Sequence, residues 1–415
     1  MVEVKNKNEH TSLNGTWRGS PGVYIHIPFC SSFCSYCDFP KTLHKKNDHD
    51  QLVHDYFNTL DLHLKTWLFS SPWSIHFQEK KISSLNFGGG TPGLFGSYYE
   101  PLFKTIHSLL AEQAEISLEV NPHNIFEDRL KTWKDLGFNR ISIGVQTIDS
   151  QGLKLLGRDH TGMEAIKSIE LAKKYFKNIN IDLIYAWPGQ NMSIWTHDLK
   201  TTLSFDIPHI SLYCLTSEKS TTLGRKILES NISKPSEDTQ TNFYETAREL
   251  LKSAHYEHEE ISNCSQQGFS CAHNFLYWEG CHFIGIGTGA HGYLPSHEKI
   301  GLRYAYTPNT KIFIRQNPPY FNTDHFDQTN LIIDNSRTTD SWLIEYIGCS
   351  LRALKGVDLA LAEDISQKKF SPNTKVLKAL DTGILNITPD RKLILNEKEW
   401  IRETAWSLEV IISFL

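Results

Sequence analysis

The feature that most constrains this chain is a rhythm of six β-rich runs separated by longer stretches of helical periodicity. The runs are "VYIHI" (23–27), "ISSLNF" (82–87), "EISLEV" (115–120), "RISIGV" (140–145), "NINIDLIY" (178–185) and "HISLYC" (209–214). After the first run, from Asp50, the residues Val53, Phe57, Leu60, Leu64 and Trp67 recur at three- and four-residue steps, an apolar stripe that a helix would bury. In "PHNIFEDRLKTWKDLG" the residues Ile125, Leu130, Trp133 and Leu136 do the same, and Gly137 stands where a helix stops. Strand followed by helix, repeated in this way, means parallel strands joined by right-handed crossovers. Six such units suffice for a barrel or a large arc of one. The expected fold class is α/β, a partial (β/α)6-type barrel.

Past residue 215 the rhythm weakens. The polar stretch "SEKSTTLGRKILESNISKPSEDTQ" leads into a predicted helix over 239–254, followed by the glycine-rich "FIGIGTGAHGYL" (283–294). From about 338, "DSWLIEYIGCSLRALKGVDLALAEDIS" is helical with a break at Gly356, and "TGILNITPDRKLILNEKEWIRET" predicts a hairpin and a last helix. The expected organisation is a flexible leader (1–21), a barrel core (22–255), a barrel extension (256–335) and a small helical, winged-helix-like domain (336–415).

Composition narrows the function. A net charge of -5 over 415 residues gives no general attraction to polyanions, so nucleic acid is not the expected partner. No apolar run approaches the roughly 18 residues of a membrane-spanning helix, and "MVEVKNKNEHTSLNGTWRGS" lacks the apolar stretch of a secretory signal. The expected location is the cytoplasm. Eight cysteines are too few for a disulfide scaffold. Cys214, Cys264, Cys271, Cys281 and Cys349 are scattered and read as small buried apolar residues.

The other three stand together in "YIHIPFCSSFCSYCDF" (24–39), on the loop after the first strand, where parallel barrels gather their chemistry. The C-x3-C-x2-C spacing of Cys30, Cys34 and Cys37 suits three corners of a [4Fe–4S] cluster, whereas full ligation takes four cysteines. A fourth iron left open can bind a small molecule, as catalytic zinc does at its vacant position. A zinc site completed by His26 or His44 is the other reading, although zinc usually asks for a second cysteine pair far along the chain, and none is present.

With "FGGGTP" (87–92) after the second strand, the C-x3-C-x-Y-C pattern resembles the radical S-adenosylmethionine (SAM) superfamily. "YIHIPFC…CSYCDF" is similar to the branch holding the oxygen-independent coproporphyrinogen III oxidases and the HemW-type heme chaperones, and the likeness runs from about 22 to 410. It implies a radical SAM barrel in which Cys30, Cys34 and Cys37 hold the cluster and the open iron is chelated by the amino and carboxylate groups of SAM. One electron from the reduced cluster then cleaves the C–S bond to a deoxyadenosyl radical, chemistry that the cofactor supplies and the protein positions. It further implies that the backbone of Gly88, Gly89 and Gly90 approaches the amino group of SAM. Tyr24, Tyr36, Thr91, Glu119, Gln146, Arg158 and Asp182 are then the pocket residues. An arginine suits the carboxylate and acidic groups suit the ribose hydroxyls.

The two branches part at specific residues. The oxidases carry a fourth cysteine two positions beyond the third, where this chain has Asp38 and then Phe39. The chaperones carry H-N-x-x-Y-W, matched here by "HNFLYW": His273, Asn274, Tyr277 and Trp278. Neutral imidazole can ligate heme iron while rings pack on the macrocycle, and residues four apart share a helix face. His282, His291 and Cys271 remain open as axial ligands. "LRALKGVDL" (351–359) is also similar to the end domain of the chaperones. The resemblance implies a heme chaperone that binds the cluster, SAM and heme, takes electrons from a one-electron donor and hands heme to an acceptor protein of unknown identity. The alternative is the oxidase, decarboxylating coproporphyrinogen III propionates to vinyl groups; whether the chain is an enzyme stays open.

Overall fold

The computed structural model describes residues 15–44, 50–229, 232–296, 298–321, 326–327 and 331–414; most of the expected leader (1–14) lies outside them. Each of the six β-rich runs is a strand: β1 Gly22–Ile27, β2 Ile82–Gly89, β3 Leu110–Val120, β4 Arg140–Gln146, β5 Asn178–Tyr185 and β6 His209–Cys214. They pair in chain order, all parallel. The sheet grows at both ends. Glu257–His258 (β7) and Asn263–Ser265 (β8) extend it past β6, with β8 antiparallel, and Ile284–Ile286 (β9) lies parallel beside β1. The order β9-β1-β2-β3-β4-β5-β6-β8-β7 is an open arc, the partial barrel expected. Three residues long and set among glycines, β9 carries too little pattern to be read from sequence.

Helices return the chain between strands: α1 Asp50–Lys65, α2 Glu100–Ile106, α3 Glu127–Leu136, α4 Ser150–Leu156, α5 Gly162–Ala172 and α6 Met192–Leu203. Val53, Phe57, Leu60 and Leu64 of α1 and Leu130 and Trp133 of α3 bury into one core with the outward residues Ile25, Phe87, Leu118, Ile143 and Ile181 of the strands. Gly137 ends α3 at φ +109°, a left-handed turn that favours a residue without Cβ.

The opposite sheet face is polar. Tyr24, Ser84, Asn86, Glu115, Ser117, Glu119, Arg140, Ser142, Asn180, Asp182, His209 and Ser211 alternate with those apolar residues along β1 to β6. Parallel sheets covered on both faces normally read as continuous apolar runs. A period of two in a parallel sheet therefore marks a chamber inside the arc.

Beyond β6, a helix at Thr222–Glu229 forms within the stretch read as merely polar. The helix read over 239–254 is Glu237–Ser253 (α7), and "HNFLYW" lies on Ala272–Trp278 (α8). The C-terminal region holds α9 Thr339–Ser350, α10 Leu359–Ser366, α11 Thr374–Asp381 and α12 Glu403–Ile412, with a sheet of Val357–Asp358 (β10), Leu385–Ile387 (β11) and Lys392–Leu395 (β12). Its core joins Trp342, Leu359, Val376, Leu393 and Trp400 to Leu276, Phe283 and Tyr293 from before residue 336. Among the described residues no helix is long and apolar enough to cross a membrane. Cys264, Cys271 and Cys281 are buried as expected; Cys214 and Cys349 are partly exposed.

Candidate functional site

The loop after β1 is held on several sides. Phe29–Cys30 runs beside Thr42–Leu43, Ser35 N–H donates to the Leu156 carbonyl (3.0 Å), and Leu223 N–H donates to that of Ser35 (2.7 Å). Burial pushes the Cys30 thiol up to about 11, opposed chiefly by the Thr91 hydroxyl. Arg158 Nη1 lies 3.1 Å from Cys34 Sγ, and Lys41 Nζ donates to the Cys37 carbonyl. His26 is not offered to a metal: Nδ1 meets Tyr24 Oη at 3.1 Å and Nε2 the Pro40 carbonyl at 2.9 Å. His44 packs its ring on Phe29 and Phe95. Among the described residues no three His, Cys, Asp or Glu side chains group around a single-ion position.

Behind the loop, β2 ends in the glycine run. A Cβ on Gly88 would lie 2.6 Å from Glu119 Oε1, and on Gly89 (φ +113°) 2.5–2.7 Å from three atoms of the His26 ring. Gly89 N–H donates to Glu119 Oε2 at 3.2 Å. Burial, and then the charge of Asp182, push Glu119 up to about 7. Burial also pushes Asp182 up, against hydrogen bonds from Ser142, Ser211 and Asn180. Gln146 ends β4 at φ +69°, where the register with β5 shifts. Its Oε1, like Asn86 Oδ1, is buried with no partner among the described residues. Unpartnered buried acceptors, glycines that hold the wall back and two carboxylates fit a polar cationic ligand with amino and hydroxyl groups.

The structure therefore brings the sequence-predicted residues to two levels. At the mouth Tyr36 packs beside Leu156, Ile184 and Trp187, and Thr91 meets Asn121 and Cys30. Arg158 bridges Cys34, Asn121 Oδ1 (2.6 Å) and the Gly144 carbonyl (2.8 Å), so a ligand carboxylate would have to exchange with one of these. Deeper lie Tyr24, Gly88, Gly89, Glu119, Gln146 and Asp182.

α8 lies against the start of β2. His273 is 1 % exposed, with Nδ1 2.9 Å from Ser84 Oγ and Nε2 2.7 Å from Tyr277 Oη. Both ring nitrogens are in use, and burial holds its pKa down at about 3. Trp278 lies under the Arg352 guanidinium (4.8 Å) and accepts at its carbonyl from Ser350, tying α8 to α9 and its sequel. Asn274 is half-buried, and its backbone N–H meets the Cys271 thiol. Of the other heme-ligand candidates, Cys271 is buried with its thiol held up at about 12, and His282 accepts at Nδ1 from Arg18 N–H. His291 is exposed.

Several residues escaped the sequence reading. Glu115 accepts from the Ala272 and His273 N–H groups (3.3 and 3.2 Å), capping α8, and sits 3.9 Å from buried Arg140. A chain of hydrogen bonds runs from Asp182 through Asn180 (2.8 Å) and Ser211 (3.1 Å) to Asn263 (2.8 Å) and on to Glu260. The polar residue at every second place in "EISLEV", "NINIDLIY" and "HISLYC" was the signal for Glu115, Asn180 and Ser211.

Residues 24–201 match the radical SAM superfamily. Over 395 residues the chain is 35% identical to the heme chaperone HemW of Lactococcus lactis, covering 94% of each. The chain belongs to the HemW branch of the radical SAM superfamily. It is also 33% identical over 300 residues to the heme chaperone HemW of Escherichia coli, covering 71% of this chain and 75% of that one. The coproporphyrinogen III oxidase HemN of Escherichia coli shares the fold, with a TM-score of 0.71 at 20% identity, over 96% of this chain and 90% of that one. Phe39, two positions beyond Cys37, stands 61 % exposed.

Proposed function

We propose that this chain is a heme chaperone that holds a [4Fe–4S] cluster on Cys30, Cys34 and Cys37, binds SAM in the chamber behind it, and passes heme to an acceptor protein. When bound, the cluster and SAM supply one-electron chemistry at the mouth of the arc. The chain's own residues hold the loop, present the Gly88–Gly90 backbone, and set Glu119 and Asp182 where a sulfonium and ribose hydroxyls would be received.

The observation that favours carrier over oxidase is the charge of the chamber. Three carboxylates lie on its face, Glu115, Glu119 and Asp182, and Glu115 is set against Arg140 at 3.9 Å. Arg140 is 2 % exposed and donates to Asn178 and the Phe269 carbonyl, and Arg158 is taken up by Cys34, Asn121 and Gly144. A substrate bearing several propionates would bring like charge to Glu119 and Asp182, with neither arginine free to meet it. The test is anaerobic incubation of reconstituted protein with SAM, reductant and either ligand. Stoichiometric heme binding without turnover is expected; conversion of coproporphyrinogen to protoporphyrinogen would overturn the assignment.

A further inference from the structure

One buried carboxylate has no place on the chamber's polar face. Asp198 of α6 is 1 % exposed and is in no ion pair among the described residues. Its Oδ2 accepts from the Thr147 hydroxyl at 2.7 Å and its Oδ1 from Ile148 N–H at 3.0 Å. Burial pushes the carboxyl up to about 6 against those bonds. An apolar residue would sit there without that cost, so the reason for the carboxylate lies in what its bonds hold. They hold the turn 146–149 between β4 and α4. Gln146 stands at φ +69°, a left-handed conformation that persists in a residue with a side chain only where the surroundings impose it. The Thr147 hydroxyl also accepts from Asp149 N–H at 3.1 Å, and Asp149 Oδ1 caps α4 at the Gln151 and Gly152 N–H groups (3.0 and 2.9 Å). At its far end α4 meets the cluster loop, where Ser35 Oγ donates to the Leu155 carbonyl at 2.6 Å. Arg158 N–H donates back to the Leu153 carbonyl at 2.9 Å. Beside the turn, a Cβ on Gly144 would lie 2.9 Å from Gln146 Nε2 and 3.4 Å from Arg158 Nη2, so both side chains converge over this one glycine.

Building on the SAM-binding reading, we propose that Asp198 is a positioning residue for the chamber: by fixing the 146–149 turn it aims the Gln146 amide, and through α4 it sets Arg158 against the cluster loop. The carboxylate itself touches no ligand. What it delivers is Gln146 Oε1, the buried acceptor with no partner among the described residues. Such an acceptor is useful to a ligand only in one orientation, and a displacement of about 1 Å is enough to lose it. The Thr147 hydroxyl and the Ile148 amide come from consecutive residues, and a carboxylate accepts from both at once. An asparagine in its place accepts one of these bonds and can donate to the Thr147 oxygen, whereas an alanine makes neither.

The experiment is SAM titration of the full, cluster-reconstituted chain by calorimetry under anaerobic conditions, with electron paramagnetic resonance of the reduced cluster alongside. Asp198→Ala should weaken SAM binding about tenfold, the scale of one well-placed hydrogen bond, with iron and sulfide retained. The change that SAM makes in the spectrum should shrink in Asp198→Ala and return, with most of the affinity, in Asp198→Asn. The deciding measurement is a double-mutant cycle with Gln146→Ala. In the native chain Gln146→Ala should cost about tenfold in SAM affinity, and in the Asp198→Ala background it should cost nothing further. Should Asp198→Ala fail to take up iron, Thr147→Val, which cuts one of the two bonds, carries the same cycle. Unaltered protein that binds no SAM would sink the SAM reading itself. Native SAM affinity in Asp198→Ala, a fall in urea stability alone, or a full Gln146→Ala penalty in that background would overturn the positioning role and leave that reading standing.

Discussion

Replacing Glu119 with Gln should make the SAM-free protein more stable in alkaline solution. The carboxyl is held at about 7 in the folded chain against an ordinary 4.5, because it is buried and faces Asp182. Below pH 4.5 folded and unfolded chains both keep the proton and the group has no effect. Between 4.5 and 7 the unfolded chain ionises first, which draws the equilibrium towards unfolding, and above 7 the penalty is constant. At about 1.4 kcal/mol for each pH unit, it amounts to about 3 kcal/mol. The amide in Glu119→Gln would keep an acceptor for Gly89 N–H and carry no charge. Cluster-loaded, SAM-free protein and variant should be unfolded in parallel across pH 5 to 8, followed by circular dichroism. The variant's midpoint should exceed the native one at pH 8, and the gap should close towards pH 5. On the proposed reading SAM would bring a positive sulfonium to this carboxylate, so native affinity for SAM should rise with pH through about 7, and in the variant it should be lower and flat. Superposable unfolding profiles at every pH would refute the burial argument.

Changing Cys30, Cys34 or Cys37 to Ala should abolish the visible absorbance of the reconstituted cluster, while Cys264→Ala should leave iron and sulfide content intact. Gly89→Ala places a methyl within 2.7 Å of a ring pinned through both nitrogens and puts an L residue at φ +113°. SAM affinity by calorimetry should fall at least about tenfold, the scale of 1.4 kcal/mol, with iron content retained. Glu115→Ala removes the cap of α8 and the carboxylate beside Arg140. A loss of about 3 kcal/mol in urea unfolding is expected, and native stability would show that Asn178 and the Phe269 carbonyl suffice for the buried charge.

Much of this could be read one residue at a time. Apolar steps of three and four along α1, the glycine after α3 and short β-rich runs are local patterns, and each became the element it predicted. The three cysteines and the "FGGGTP" turn were legible because a cluster loop needs its ligands close in sequence. His273 shows the limit of that method. A histidine with aromatic neighbours looks like a heme ligand until Ser84, 189 residues earlier, is found on its Nδ1.

The sequence by itself determined the parallel strand–helix order, the thiol loop and the family, because periodicity and short motifs are properties of neighbours along the chain. Only the tertiary structure decided which face of the sheet is a chamber, which carboxylates are starved of water, and which imidazoles are tied or available. Those are properties of burial and distance, and they arise only when β1 to β6 close into an arc that brings remote residues within a few ångström.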